Sequence, residues 1–352
     1  MNNKLLQLIG GDADIGTSRT FWIGFIIVVI LFCLYPSQVS EFRASNVAYY
    51  LLNIPLGLGV ALLWGYCGVL SFGHVAYFGI AGYTYGIIAG NMAGNIYGPL
   101  VGVLGGLIAS TIVAGVFAYF VFYARVREWI IPILTLVLTL ILETFLGQTA
   151  GYQWRVGTVL LGGYNGMTGI PAFQVGSFVF MGYSFYYFCL IVVLACYVGL
   201  RMLLNSNFGQ VIIAIREDPL RTEMLGYDIR ARQWLIFVLS AALASVSGLL
   251  YVQWGQYITP SQVGLYAAAL PIIWAAVGGR TSLLAVVIAT IIFNWLTYTL
   301  SSQGNQAAMV IIGSALVVTM LFFPRGIVIM IADWVGKFTN RRNNPPKVQI
   351  HE

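Results

Sequence analysis

The sequence predicts an all-α integral membrane protein, a polytopic helical bundle of about ten transmembrane helices (8–10), and three observations carry that expectation. Hydrophobic residues make up 59% of the 352 residues and charged residues only 8%, with a mean hydropathy of +0.87. Too few charges remain to solvate the surface of a water-soluble protein of this size, so lipid must solvate it. Apolar runs long enough to cross, or nearly cross, a ~30 Å hydrocarbon core recur along the whole chain. The basic residues fall almost entirely on the loops that one side of such a bundle presents.

In order, the runs lie near 21–36, 47–65, 72–90, 98–123, 129–147, 177–203, 233–254, 264–277, 282–301 and 307–323. Residues 1–20 are polar and lack a signal-peptide cleavage pattern. They read as a cytoplasmic segment before a transmembrane domain over 21–333, which a cytoplasmic tail over 334–352 follows. The run at 264–277 is short and holds Pro271. That marks a broken or re-entrant helix, permitted only where protein or a water-filled path surrounds it, and it lowers the count toward nine or eight.

Orientation follows from the bases. With ten spans and a cytoplasmic N-terminus, the inside receives fifteen of the seventeen, from Lys4 and Arg19 through Arg125, Arg127 and the five arginines between Arg201 and Arg232 to Arg280, Arg325 and the tail. Arg43 and Arg155 remain outside. This is the positive-inside asymmetry, and it makes 204–232 cytoplasmic and the glycine-rich loop at 148–176 periplasmic. A net charge of +6, dispersed in this way, does not point to nucleic acid. Cys33, Cys67, Cys189 and Cys196 lie in apolar runs without metal-ligand spacing, so they read as small buried side chains.

Glycines recur every four residues at Gly82, Gly86, Gly90, Gly94, Gly98, Gly102 and Gly106. Asn91, Asn95 and Pro99 interrupt the helix, so the stripe divides between two helices. Small residues at this spacing let backbones approach in lipid, and Gly82, Gly86, Gly90, Gly102 and Gly106 are assigned to helix packing. Ala241, Ala244, Ser245 and Gly248 do the same further on. Polar groups inside apolar runs are the candidates for a translocation path, because an intramembrane charge costs at least ~2.5 kcal/mol. Glu143, about one turn from the periplasmic end of its run, either lines the path or bonds at the interface. Ser71 and His74 sit together at a span start, as ligands or as satisfied helix-terminal groups. Asn53, Tyr66, Asn165, Gln253, Trp274 and Asn294 either meet a zwitterion's ends or bridge helices.

The longest polar interruption, FGQVIIAIREDPLRTEMLGYDIRARQW at 208–234, reads as an elbow of two helices. Val211, Ile212 and Ile215 share one face of the first; Asp218 caps the second, Pro219 takes its first position and Gly226 stops it. Arg216, Glu217, Asp218 and Arg221 are expected to form a polar face toward a partner, with Leu220 and Leu225 as apolar anchors. These residues, together with LLWGYCGVLSFGHVAYFGIAGYT at 62–84, GGYNGMTGIP at 162–171 and FPRGI at 323–327, resemble the LivM-like permeases of branched-chain amino acid ABC importers. The likeness spans roughly 46–328, and the chain departs from it at 278–286, where GGRTSLLAV replaces Gly-Gly-x-Gly-Ser-x-x-Gly. The resemblance implies a multi-pass protein of the bacterial inner membrane, with both termini cytoplasmic. It implies as partners a second, LivH-like permease, two ATP-binding cassette subunits and a periplasmic substrate-binding protein. The elbow is then the coupling segment, and branched-chain or other apolar amino acids are the substrates, with urea or short amides as the alternative.

What the chain lacks narrows the mechanism. It has no Gly-x-x-x-x-Gly-Lys-Ser/Thr loop, so ATP is expected on partner subunits and no cofactor on this chain. It has no Gly-x-Ser-x-Gly or HExxH, which argues against an enzyme. A secondary transporter or a passive channel stays open as an alternative, though the first usually carries more intramembrane ionisable groups than Glu143 and the large cytoplasmic elbow counts against the second.

Overall fold

The computed structural model describes residues 19–302, 313–314 and 326–330. The polar N-terminal segment before residue 19, most of the run at 307–323 and the tail over 334–352 lie outside the described residues. Twelve α-helices are described: α1 (Arg19–Leu34), α2 (Glu41–Leu52), α3 (Ile54–Val60), α4 (His74–Asn91), α5 (Gly98–Tyr123), α6 (Ile131–Gln148), α7 (Tyr183–Leu204), α8 (Asn207–Glu217), α9 (Pro219–Met224), α10 (Ile229–Gly255), α11 (Leu265–Gly278) and α12 (Leu283–Ser302).

Among the described residues, six helical stretches are long and apolar enough to cross a membrane: Glu41–Tyr66, Gly98–Tyr123, Glu128–Gln148, Tyr183–Leu204, Ile229–Gly255 and Leu283–Ser302. The expected eight to ten are not reached among the described residues. α1 and α11 are apolar but short, and α4 is rich in glycine and tyrosine. It can be so because α5 and α10 cover it, and a helix shielded from lipid need not be hydrophobic all round. α11 is one continuous helix with Pro271 inside it, not a broken one.

The run at 47–65 is interrupted. Pro55 has no N–H to give the carbonyl of Leu51, so α2 ends, Asn53 turns the chain, and α3 runs on into a π-helical turn at Ala61–Tyr66. This composite span is 83% buried over its apolar window, against 22% for α5 and 28% for α6, so it is the inner post and they are the outer wall. α1 is strapped to α7: Arg201, fully buried, lies 5.3 Å from the Phe21 ring and 5.1 Å from that of Trp22. The Tyr186 hydroxyl donates to the carbonyl of Phe32 at 2.8 Å.

The all-α expectation misses six two-residue strands. Between α6 and α7, β1 (Arg155–Val156) pairs with β2 (Val159–Leu160), and β4 (Gln174–Val175) with β5 (Phe178–Val179), all antiparallel. β3 (Met167–Thr168) pairs instead with β6 (Tyr257–Ile258), which sews this loop to the end of α10. Backbone groups with no helix to join find partners in these ladders. α7 and α10 each run from this loop to the elbow, so loop and elbow occupy opposite ends of the bundle. Arg201, Arg216, Arg221, Arg230 and Arg232 go with the elbow end, and Arg155 goes with the loop. Arg43 lies at the start of α2, whose neighbours Glu41 and Phe42 share a cleft with Met181 of the loop.

Candidate functional site

The elbow is built from local chemistry. The Ser206 hydroxyl accepts the Gly209 N–H at 3.3 Å and starts α8. Ile212 and Ile215 are buried against the body of the protein. The Asp218 carboxylate then accepts the Arg221 N–H at 3.0 Å as the cap of α9, Pro219 takes the first turn, and Gly226 at φ +89° stops it in the left-handed region. Leu220, Met224 and Leu225 are left 70%, 88% and 72% exposed. Beside them the side chains of Glu217 and Arg221 are 66% and 81% exposed.

Arg216 does not join that outer face. Its Nη1 donates to the Gly65 carbonyl at 2.7 Å, and its stem packs on Gly68. Glu217 pairs with the same guanidinium. The direction follows from helix geometry, since Arg216 stands four residues after Ile212 and shares its inward face. That spacing was present in the sequence.

Residues 67–73 run non-helically between the π-helical turn and α4, mostly buried. Their backbone is satisfied from α6: Thr135 Oγ1 accepts the Phe72 N–H at 3.0 Å, and Thr139 Oγ1 donates to the Phe72 carbonyl at 3.2 Å. Sequence reasoning missed these two threonines, whose signal is their four-residue spacing in an otherwise aliphatic helix. Ser71 and His74 are brought together and buried. The Ser71 hydroxyl accepts the Gly73 N–H at 3.1 Å, and His74 places Nδ1 3.4 Å from the Ser71 carbonyl and Nε2 3.2 Å from Ser240 Oγ of α10. Glu143 is elsewhere, half-buried one turn beyond Thr139, with its carboxylate against Gly264 at the start of α11.

The interruption at Asn53 places a polar group in the core. Its Nδ2 donates to Asn294 Oδ1 of α12 at 3.2 Å, both side chains buried. The two amides line a narrow cavity with Tyr49, Tyr251, Gln262 and Trp274, and none of the described residues bordering it is charged. The other polar candidates separate. Tyr66 donates to the carbonyl of Thr281 at 3.0 Å. Gln253 borders a surface cleft with Glu41 and Trp254, and Asn165 borders another between the loop and Gly86 and Gly90.

The glycine stripe divides at 92–97, and its halves meet different things. A Cβ at Gly102 would lie 2.9 Å from the Tyr85 ring, and one at Gly106 2.6 Å from the Ala81 carbonyl, so α5 meets the backbone of α4. A Cβ at Gly248 of α10 would overlap the Phe78 carbonyl from the other side. Gly82 faces both Ile258 of β6 and Val252 of α10, whereas Gly86 and Gly90 face Met167 and Val159 of the strands. Within that half Gly86 and Gly90 admit the loop, while Gly82 lies against α10 as well.

The comparisons with known proteins agree with one another. Residues 44–323 match the family described as the branched-chain amino acid transport system / permease component. The chain is 24% identical over 330 residues to the high-affinity branched-chain amino acid transport system permease protein LivM of Escherichia coli (strain K12), covering 87% of this chain and 74% of that one. It is 22% identical over 344 residues to the protein of the same name from Salmonella typhimurium, covering 91% and 77%. A shorter match, 30% over 94 residues, covers 26% of this chain and 27% of the probable branched-chain amino acid transport permease protein LivM of Methanocaldococcus jannaschii. No solved structure matches. With the family's pattern covering most of the spans, the inner post and the elbow alike, the chain belongs to the permease-component family of branched-chain amino acid transport systems.

Proposed function

We propose that the chain is the membrane-spanning permease subunit of an ATP-driven importer, carrying branched-chain or other apolar amino acids inward across the bacterial inner membrane. Family membership supports a transport subunit of a multi-pass membrane protein. The observation that carries the rest is the uncovered apolar tip of the elbow, Leu220, Met224 and Leu225, at the arginine-rich end of the bundle. Bases mark the cytoplasmic side, where ATPases work. Two ATPase subunits would seat this tip and hydrolyse the ATP, while a second, LivH-like permease completes the path and a periplasmic binding protein meets the loop. Their closure pushes the elbow, and α10 carries the motion into the bundle.

The test is ATP-dependent uptake of radiolabelled leucine by the intact complex in proteoliposomes. Reversing a charge desolvated at a contact costs ~2–5 kcal/mol, on the order of 30-fold or more in affinity. Glu217→Arg should therefore strip the ATPase and abolish uptake while the permease still inserts. Full uptake and full ATPase recovery would sink the reading.

One observation favours a second reading, a permease for urea or another short neutral amide. Among the described residues, the cavity at Asn53 offers carboxamides and phenols but no charged group. A zwitterion there would leave both of its charges unpaired, which is costly away from water, whereas a neutral amide would trade hydrogen bonds with Asn53 and Asn294. Competition decides: excess unlabelled urea suppresses uptake under this reading, and excess isoleucine under the first.

A further inference from the structure

The π-helical turn Ala61–Tyr66 is where the elbow, the inner post and the α11–α12 junction meet. Gly65 gives its carbonyl to Arg216 of α8 and lies so close to the carbonyl of Arg280 that a Cβ would overlap it. Tyr66 bonds the carbonyl of Thr281, and the Arg280 guanidinium sits 5.0 Å from the Trp64 ring. Upstream, the turn is continuous with α3 and so with Asn53. Across the junction it is tied to α11 and α12, which carry Trp274 and Asn294. All three of these residues line the same cavity.

Resting on the importer reading above, we infer that Arg216 is a positioning residue that transmits the movement of the elbow to this turn and, through it, sets the cavity around Asn53. A π-helical turn closes i→i+5 hydrogen bonds and so holds one residue more than an α-helical turn, which gives it a neighbouring register to move into, and such turns concentrate at functional sites. The guanidinium is suited to the task. Its Nη1 holds the Gly65 carbonyl, and its Nε donates to Glu217 Oε1 at 3.0 Å, which fixes the fork on the last turn of α8. When the elbow shifts, Gly65 shifts with it, α3 turns, and Asn53 moves relative to Asn294. Arg216 thus works on the inner side of the elbow, while Leu220, Met224 and Leu225 work on the outer side.

Cys67, buried and next after the turn, reports on it. In the full complex with Cys33, Cys189 and Cys196 replaced by alanine, alkylation of Cys67 by N-ethylmaleimide is timed without nucleotide and with ATP and vanadate. Trapping should change the rate at least about fivefold, the lower end of ordinary coupling between sites. Arg216→Met should abolish that change while ATPase co-purification and ATP hydrolysis persist. Arg216→Lys, which keeps one donor for the Gly65 carbonyl, should restore part of it. A full response in Arg216→Met overturns the inference, as does loss of the ATPase from both variants, which would make Arg216 a docking or folding residue. A wild-type complex that hydrolyses ATP with no response at Cys67 removes this inference alone; a wild-type chain that recovers no ATPase removes the importer reading and this one with it.

Discussion

The buried side chains of Asn53 and Asn294 share one hydrogen bond, from Asn53 Nδ2 to Asn294 Oδ1, while each Nδ2 also donates to a carbonyl four residues back, so truncating either one removes the shared bond. Asn53→Ala and Asn294→Ala should each lower the thermal midpoint of the purified protein, and the double variant should fall by less than their sum. The coupling should be ~0.6–1.7 kcal/mol, the range measured for hydrogen bonds between membrane helices. Strict additivity would show that the two amides do not support each other. At the elbow, Gly226 has φ +89° and nothing within reach of an added Cβ, so any cost of substitution there is conformational. Gly226→Asn should leave trypsin cleavage at Arg221 unchanged, whereas Gly226→Val, which disfavours the left-handed region, should loosen α9 and speed cleavage. These local features were legible in the sequence because cap, proline and glycine act within one turn of chain. The direction of Arg216 was harder to read. Its partner lies 151 residues away, and only the four-residue step from Ile212 hinted at the inward face.

Among the elements, α4 decides how tightly the bundle closes. Two neighbours approach its backbone where Gly106 and Gly248 leave room. Backbone cannot step aside, so Gly106→Leu should sharply reduce the yield of monodisperse protein after mild heating in detergent. Gly86→Leu meets only the flexible Met167 and Ile170 side chains. It should spare the bundle and instead expose the 157–170 loop to protease. Equal effects from the two substitutions would show that both halves of the stripe do the same work. The sequence revealed the stripe and its division but not what each half meets, because periodicity reports a smooth face and is silent about its neighbour. The span count is not reached among the described residues: an apolar run records shelter from water, and α4 and α11 obtain much of that shelter from protein. The six short strands left no periodic signal at all, since two residues are fewer than one repeat of any pattern.

For the whole molecule, the distribution of bases is the testable property. With native cysteines removed, Met224→Cys and Tyr164→Cys place labels at positions 88% and 77% exposed at opposite ends of the bundle. A membrane-impermeant maleimide should reach Tyr164→Cys in intact spheroplasts and Met224→Cys only after permeabilisation; the reverse pattern would invert the proposed orientation. Between those ends stands α10, 27 residues without a break and so ~40 Å long. The Asp228 carboxylate caps it at the elbow, and the β3–β6 ladder fastens the loop just past its other end. A stiff rod fastened at both ends has no preferred direction of traffic. On the proposed reading, if a partner gripping the elbow changes the grip of another on the external loop by some factor, the second must change the first by the same factor. On that reading a rod that drives transport inward would also carry news the other way, letting the presence of a docked carrier outside set how firmly the engine inside is held, before any substrate has crossed.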